Sequence, residues 1–511
     1  MKNSNRVIFN TFVLYVRLLV TIVMGLLSTR WILQALGESD FGIYNLIAGI
    51  VAMLSFLNNA MSNSTQRFLS FAIGKNDNEL LAKTFNYSVL IFSVLAIFLV
   101  LIILIGGFLL INNVLDIPEE RIYAAEVVLI SLSVGIALSV LSSPYGALLS
   151  AHEKMVVFAF VNIVQSSLKL IIAFFLLYYS HDRLLLYSYL SILVSFAFYL
   201  ITYLYCWRKF PEVKFKVKKV EDRKLLFQLC SFSGYKFLAI GSNIFRMQCF
   251  AILLNTFGGL VINAAYGIAL QVNGQTAAFS NVILNAIRPQ IVKSEGMGKR
   301  DRTIKLSLIS CKFSFLLMSV LIIPLFVKMP YIMEIWLHKV PDYTVLFCRI
   351  ILLFTLMQQF FIGLNDAIEG VGNVKLQQTV TMVFHLLSVL AAFILLKIGL
   401  SCQSILFVIV LEELLLGVII SYICNIQTGL DLKYFYFSLF LPLSVLIMSI
   451  IYICLLISSN IENDFYSLIF VTIIDAILLL CFYWFFLFSK YEKDILKAAT
   501  KSVIFKIQSK R

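Results

Sequence analysis

Two cations stand in segments that are otherwise almost entirely apolar. Lys169 falls near the middle of the segment 155–179 and Arg246 within 231–256. Asn162, Gln165 and Lys169 are spaced i, i+3, i+7, which places all three on one face of a helix. Ser242, Asn243 and Arg246 form a second such stripe. Gln271, Gly274, Ala278, Asn281 and Asn285 form a third. Ionisable groups at bilayer depth are costly and usually face a cavity. The same spacing also serves helix–helix adhesion, in which small residues permit close approach and amides bond across. Arg17 and Arg30 share the segment 8–33. Thirteen residues apart, they differ by roughly 220° of rotation beyond three full turns. A straight helix aims only one of them inward, and either could instead extend to a membrane interface.

Acidic groups occur at similar depth. Glu412 and Glu413 lie in the segment 403–424 and Asp475 in 466–488. A carboxylate there needs a partner, a proton or a cavity. A structural ion pair and a proton- or sodium-coupling site both fit. Arg246, Lys312 and Arg349 are the candidate partners for the glutamates. His385 is a lone histidine, open to a packing role or a proton relay. Asn365, Asp366 and Glu369, beside Gly370 and Gly372, read as a turn. There is no G-x-x-x-x-G-K-[ST] loop, no H-E-x-x-H, no G-x-S-x-G and no metal-ligand cluster. The expectation is a non-enzyme with no catalytic residue, no bound metal and no cofactor, coupled if at all to a proton or sodium gradient.

The elements that carry these residues follow from composition. Of 511 residues, 61% are hydrophobic and 13% charged, about half the charged share of a soluble chain. No charge occurs from Tyr87 to Val114, enough to cross a bilayer. The fold class is an all-α polytopic membrane protein with about fourteen transmembrane helices. The spans are 8–33, 41–62, 85–111, 124–150, 155–179, 184–206, 231–256, 262–286, 304–328, 344–369, 376–397, 403–424, 434–458 and 466–488. The connections alternate in charge. Lys2 and Arg6, Arg67 to Lys83, Lys154, Arg208 to Lys224, Arg288 to Lys305, Lys375, Lys433 and the tail from Lys490 form the basic set. Glu38 and Asp40, Asp116 to Glu120, Asp182, Glu334 and Asp342, Glu462 and Asp464 form the mostly acidic one. Basic loops face the cytoplasm, so both termini are expected there. The net charge of +14 is thereby assigned to membrane lipid headgroups and not to nucleic acid. The nine cysteines are scattered singly and read as small buried hydrophobes.

The chain also repeats. Gln66, Gly74, Lys75 and Asp77 recur as Gln290, Gly298, Lys299 and Asp301, all at one offset in numbering (290 − 66 = 224). Phe41-Gly-Ile recurs as Tyr266-Gly-Ile at nearly the same offset (266 − 41 = 225). With six spans per half, this predicts two pseudo-symmetric six-helix lobes of like orientation around a cavity. The organisation is 1–206 as the N-lobe, 207–230 as a basic cytoplasmic linker, 231–430 as the C-lobe, and 431–511 as two appended helices and a basic tail.

Several segments resemble the Wzx-type polysaccharide flippases of bacteria. They are Asn263-Ala-Ala-Tyr-Gly-Ile-Ala-Leu-Gln-Val-Asn273 with Ile287-Arg-Pro-Gln-Ile-Val-Lys293, Arg30-Trp-Ile-Leu-Gln-Ala-Leu-Gly37 with Phe41-Gly-Ile-Tyr44, and Tyr145-Gly-Ala-Leu-Leu-Ser-Ala-His-Glu-Lys154. The resemblance implies the multidrug/oligosaccharidyl-lipid/polysaccharide exporter fold, shared with MATE drug antiporters and MurJ-like lipid II flippases. It implies an undecaprenyl-pyrophosphate-linked oligosaccharide turned from cytoplasmic to periplasmic leaflet by alternating access, for O-antigen and lipopolysaccharide, capsule or exopolysaccharide. It further implies a monomer in the bacterial inner membrane, working beside polysaccharide polymerase or chain-length machinery. Lys169, Arg246, Arg17 and Arg30 would meet the anion, and Asn162, Gln165, Asn243, Gln271 and Asn281 the sugar. A MATE-like cation antiporter is the alternative, although the first span holds Arg17 and Arg30 and no acid before Glu38. A membrane glycosyltransferase, polymerase or ligase would need a larger external loop, and a scaffold would not need charges at depth.

Overall fold

The computed structural model describes residues 2–53, 55–113, 118–214, 222–337, 340–489 and 493, the side chains of 2–9, 38, 50, 52–56, 113 and 260 aside. The linker run 215–221, nearly all of the basic tail beyond 489, and the side chains of Lys2, Arg6, Glu38 and Asp116 lie outside the described residues.

The described chain is helical throughout, with no strand. Its helices are α1 (Lys2–Met53), α2 (Ser55–Lys75), α3 (Asn78–Asn113), α4 (Ile122–Ala151), α5 (Met155–Tyr178), α6 (Arg183–Lys209), α7 (Pro211–Lys214) and α8 (Arg223–Gly296). They continue with α9 (Arg300–Val327), α10 (Met329–Leu337), α11 (Thr344–Val371), α12 (Lys375–Lys397), α13 (Ser404–Thr428), α14 (Leu432–Phe435), α15 (Leu441–Ser459) and α16 (Asp464–Phe482). Twelve stretches of the described residues are long and apolar enough to cross a membrane. Two more spans were expected, at 41–62 and 262–286. Their described residues are helical, but Asn58, Asn59 and Ser62 in one, and Gln271, Asn273, Gln275, Asn281 and Asn285 in the other, dilute the apolar run. Large apolar side chains such as Leu26, Met448 and Phe486 stand exposed on the outer surface. Lipid is the solvent in which that exposure costs nothing.

Two compact units divide the chain. One takes in Asn10–Phe237 and Gly296–Gly298, the other chiefly Leu238–Glu295 and the chain from Lys299. The division falls inside α8, beyond the expected linker 207–230. The first turns of α8 belong to the N-terminal unit because Leu225 and Leu229 pack against Tyr87. In that unit, α7 is held by a hydrogen bond between His152 Nε2 and the Glu212 carboxyl at 2.7 Å, with His152 stacked on Phe210. Burial pushes the Glu212 carboxyl up, but the hydrogen bond and charge of His152 and a backbone amide outweigh it, leaving a value below the ordinary one. In the other unit one large core joins α8, α9, α11, α13, α15 and α16. There Gly363 lets α11 lie against the Ser307 carbonyl of α9, where a Cβ would collide.

The backbone repeats at a single spacing. Gly37 (φ 77°, ψ 174°) interrupts α1 and Gly259 (φ 80°, ψ −177°) interrupts α8. Their offset in numbering is 259 − 37 = 222. The positive-φ turns at Asn76 and Gly298, the starts of α3 and α9, and the starts of α4 and α11 show the same offset of 222. The duplication expected from residue matches at 224 and 225 is therefore present in the backbone, in a register two to three residues shorter.

Candidate functional site

In the N-terminal unit, the first segment of α1 and α5 run side by side in the same direction. Asn10 meets the Glu153 carbonyl, Met24 Sδ accepts from Ser167, and the rings of Trp31 and Phe174 lie 5.4 Å apart. The partners in all three contacts are separated by the same stretch of chain, which only parallel helices in register can maintain. Between these helices, closed by the second segment of α1 and by α6, is a cavity of about 250 Å³. Lys169 lines it with Ser28, Thr29, Asn45, Ser166, Tyr44 and Tyr187, and with apolar Met24, Ile32 and Phe41. No aspartate or glutamate is among its lining residues. Lys169 has no hydrogen-bond or ion-pair partner among the described residues, so the cavity holds a basic side chain without a carboxylate, amid hydroxyls, an amide and aromatic rings.

Tyr44 and Tyr187 form one wall, their rings edge to face at 5.0 Å and their hydroxyls hydrogen-bonded. That wall has its own clasp. Arg121 donates to Asp40 at 2.9 Å and to Asp182 at 2.6 Å. Asp40 lies one turn before Tyr44, and Asp182 caps α6 by accepting from the amides of Leu184 and Leu185. Arg183 adds a bond to the Ala35 carbonyl at 2.8 Å. From sequence, Asp40 and Asp182 counted only as external loop charges. Their role depends on Arg121, far off in the chain, and nothing local marks it.

The other N-terminal candidates spread along the same helices. Asn162 donates back to the Phe158 carbonyl of its own helix at 2.7 Å. Gln165 lies one turn from Lys169 and outside the cavity lining. Arg17 packs over the Phe158 ring at 5.3 Å. Arg30 is exposed and does not line the cavity. Of the residues expected to meet an anion in this unit, the structure brings only Lys169 to the cavity.

The C-terminal unit holds a different arrangement. Arg246 of α8 donates to Glu412 of α13 at 2.5 Å and to Asn243 at 2.7 Å, beneath the ring of Phe354. Both charged side chains are almost wholly buried, 6% and 4% exposed. His385 of α12 adds its Nε2 at 3.9 Å from Glu412, while its Nδ1 lies 2.8 Å from the Ser242 hydroxyl. Glu413 accepts from Gln358 at 3.3 Å. Lys312 donates to the Leu487 carbonyl, and Arg349 to the carbonyls of Phe326 and Val327. Of the three cations considered, Arg246 is the one that meets a glutamate, and Asn243 serves it. Gln271 and Asn281 stand exposed. Asp475 is fully buried in α16 with neither carboxyl oxygen hydrogen-bonded.

No protein-family model matches this chain, and no curated protein matches it in sequence. Solved structures do. A crystal structure of MATE in the straight conformation superposes with a TM-score of 0.71 at 15% identity, covering 84% of this chain and 96% of that one. The chain has the MATE transporter fold. An outward-facing multidrug resistance MATE family transporter of the MOP superfamily gives a TM-score of 0.71 at 14% identity, with the same coverage of 84% and 96%. A MOP superfamily transporter from Pyrococcus furiosus gives 0.71 at 13% identity, again covering 84% and 96%; its pocket is described as reversed in polarity, with a different function drawn from that. At these identities the likeness concerns the fold. A multi-pass helical membrane protein of MATE fold therefore carries, in its N-terminal unit, a lysine with no partner among the described residues and, in its C-terminal one, an arginine paired with Glu412.

Proposed function

We propose that this chain is an exporter of the bacterial inner membrane, with both termini cytoplasmic. Its cargo is an oligosaccharide linked through pyrophosphate to a polyprenyl carrier, turned from the cytoplasmic to the periplasmic leaflet by alternating access. The motifs that resemble Wzx-type flippases raise this reading, and polysaccharide polymerase or chain-length machinery would be its working partners. The observation that carries it is Lys169, an ammonium at bilayer depth with no carboxylate among the residues lining its cavity. An anionic ligand supplies the missing counter-charge through a charge-assisted hydrogen bond, whereas a cationic drug would meet repulsion. The Pyrococcus furiosus transporter supports the premise that pockets of this fold differ in polarity.

The fold is equally compatible with drug antiport. The partnerless carboxyl of Asp475 is the observation on that side. Complementation of a deletion strain separates the two. The wild-type gene is expected to restore surface glycan, and Lys169→Gln to restore far less at equal membrane abundance, with ethidium accumulation unchanged by either. Restored ethidium efflux without any glycan phenotype would overturn the exporter reading.

A further inference from the structure

The backbone repeat allows the two units to be compared position by position. At the common offset of 222, Tyr44 of the Lys169 cavity corresponds to Tyr266, and Met24 of the same cavity to Arg246. Helices α5 and α12 start at Met155 and Lys375, an offset of 220, which pairs Gln165, one turn from Lys169, with His385. Helices α6 and α13 start at Arg183 and Ser404, an offset of 221, which pairs Ser191 with Glu412. Each unit thus gathers a cation between helices of the same rank. The first segment of α8 supplies it in the C-terminal unit, and α5 supplies it in the N-terminal one.

The two cations differ in how they are satisfied. Arg246 receives a carboxylate from within the chain, Glu412 at 2.5 Å. The counterpart of Glu412 is Ser191, whose hydroxyl is spent on the Tyr187 carbonyl at 2.7 Å. The N-terminal site therefore has the cation and the room without the carboxylate.

We propose that the Lys169 cavity binds one carboxylate-bearing sugar unit of the exported glycan. Its carboxylate takes at Lys169 the place that Glu412 holds at Arg246. Ser28, Asn45 and Ser166 face its hydroxyls, and the Tyr44–Tyr187 wall flanks its ring. This rests on the exporter reading and names the class of sugar recognised. The size agrees: about 250 Å³ equals the share of roughly eight liquid waters, room for a pyranose ring. The choice of carboxylate over phosphate rests on the Glu412 correspondence and on a single ammonium, where a pyrophosphate would bring several charges.

The test uses the purified full-length chain in lipid nanodiscs, titrated by calorimetry with methyl glucuronide, methyl glucoside and inorganic pyrophosphate. The glucuronide is expected to bind about tenfold or more tighter than the glucoside, as one charge-assisted hydrogen bond allows. Lys169→Gln should erase that preference and Lys169→Arg should keep it. The wild-type ratio decides the matter even where Lys169→Gln fails to fold. Equal binding of the two glycosides overturns the proposal. Tighter binding of pyrophosphate than of glucuronide also overturns it, yet leaves an anion exporter standing. Lys169-dependent binding of ethidium, with no binding of any anion, would bring down the exporter reading as well.

Discussion

Removing the Glu412 carboxylate leaves a guanidinium almost fully buried with Asn243 as its remaining hydrogen-bond partner among the described residues. Breaking a buried pair from one side costs about 3–5 kcal/mol, because the remaining charge cannot recover its hydration. Glu412→Gln is therefore expected to lower the unfolding free energy by about that amount in detergent denaturation. The double variant Glu412→Gln/Arg246→Gln should recover most of the loss, since two neutral amides can bond to each other. A single variant that unfolds with the wild type would show that Arg246 has another counter-charge. Lys169 behaves in the opposite sense, having no internal partner to lose. The sequence placed both cations at depth but could not rank them, because pairing is a property of which helices meet. By residue type alone, three cations competed for Glu412 and Glu413. In the structure Lys312 and Arg349 go to backbone carbonyls instead, choices that only the packing of α9, α11 and α16 makes.

At the scale of elements, one long helix in each unit, α1 and α8, is interrupted by a glycine. Gly37 and Gly259 hold positive φ with ψ near 180°, a region essentially closed to residues with a Cβ. A Cβ at either position would meet no atom within 4 Å, so packing imposes nothing and the dihedrals impose everything. Gly37→Ala is expected to destabilise the protein by about 1–3 kcal/mol. Gly42→Ala, a little further on in regular helix and equally uncrowded, should be neutral or slightly stabilising, since alanine favours helix. Thermal unfolding of the two variants side by side checks this. A Gly37→Ala variant as stable as Gly42→Ala would mean that the break is not fixed by its backbone conformation. Such breaks also explain the register of the repeat. Gln66, Gly74, Lys75 and Asp77 match their copies by side-chain type, which drifts by a residue or two around a turn. The glycine dihedrals and helix starts are held by the path of the chain, and they agree on 222.

Over the whole molecule, hydropathy was enough to read a multi-pass helical protein, because a bilayer admits few other designs. The clasp of Arg121 on Asp40 and Asp182 was not legible, since its partners are distant in the chain and come together only once α1, α4 and α6 are placed. The last two helices, expected as an appendage to the repeated lobes, pack against α9 and its C-terminal end. Tyr483 donates to the Lys312 carbonyl at 3.1 Å, Phe488 stacks on Phe313 at 5.3 Å, and Asp464 pairs with Lys328 at 2.8 Å. The buried ammonium of Lys312 donates in turn to the Leu487 carbonyl at 3.3 Å. A chain ending at Gly429 would lose that carbonyl and expose the Lys312 face of α9 to lipid. It is expected to melt well below the full-length protein in fluorescence-detected size exclusion. If the truncated chain melts with the full-length one, α15 and α16 contribute nothing to the C-terminal unit, and their shared core with α9 is incidental.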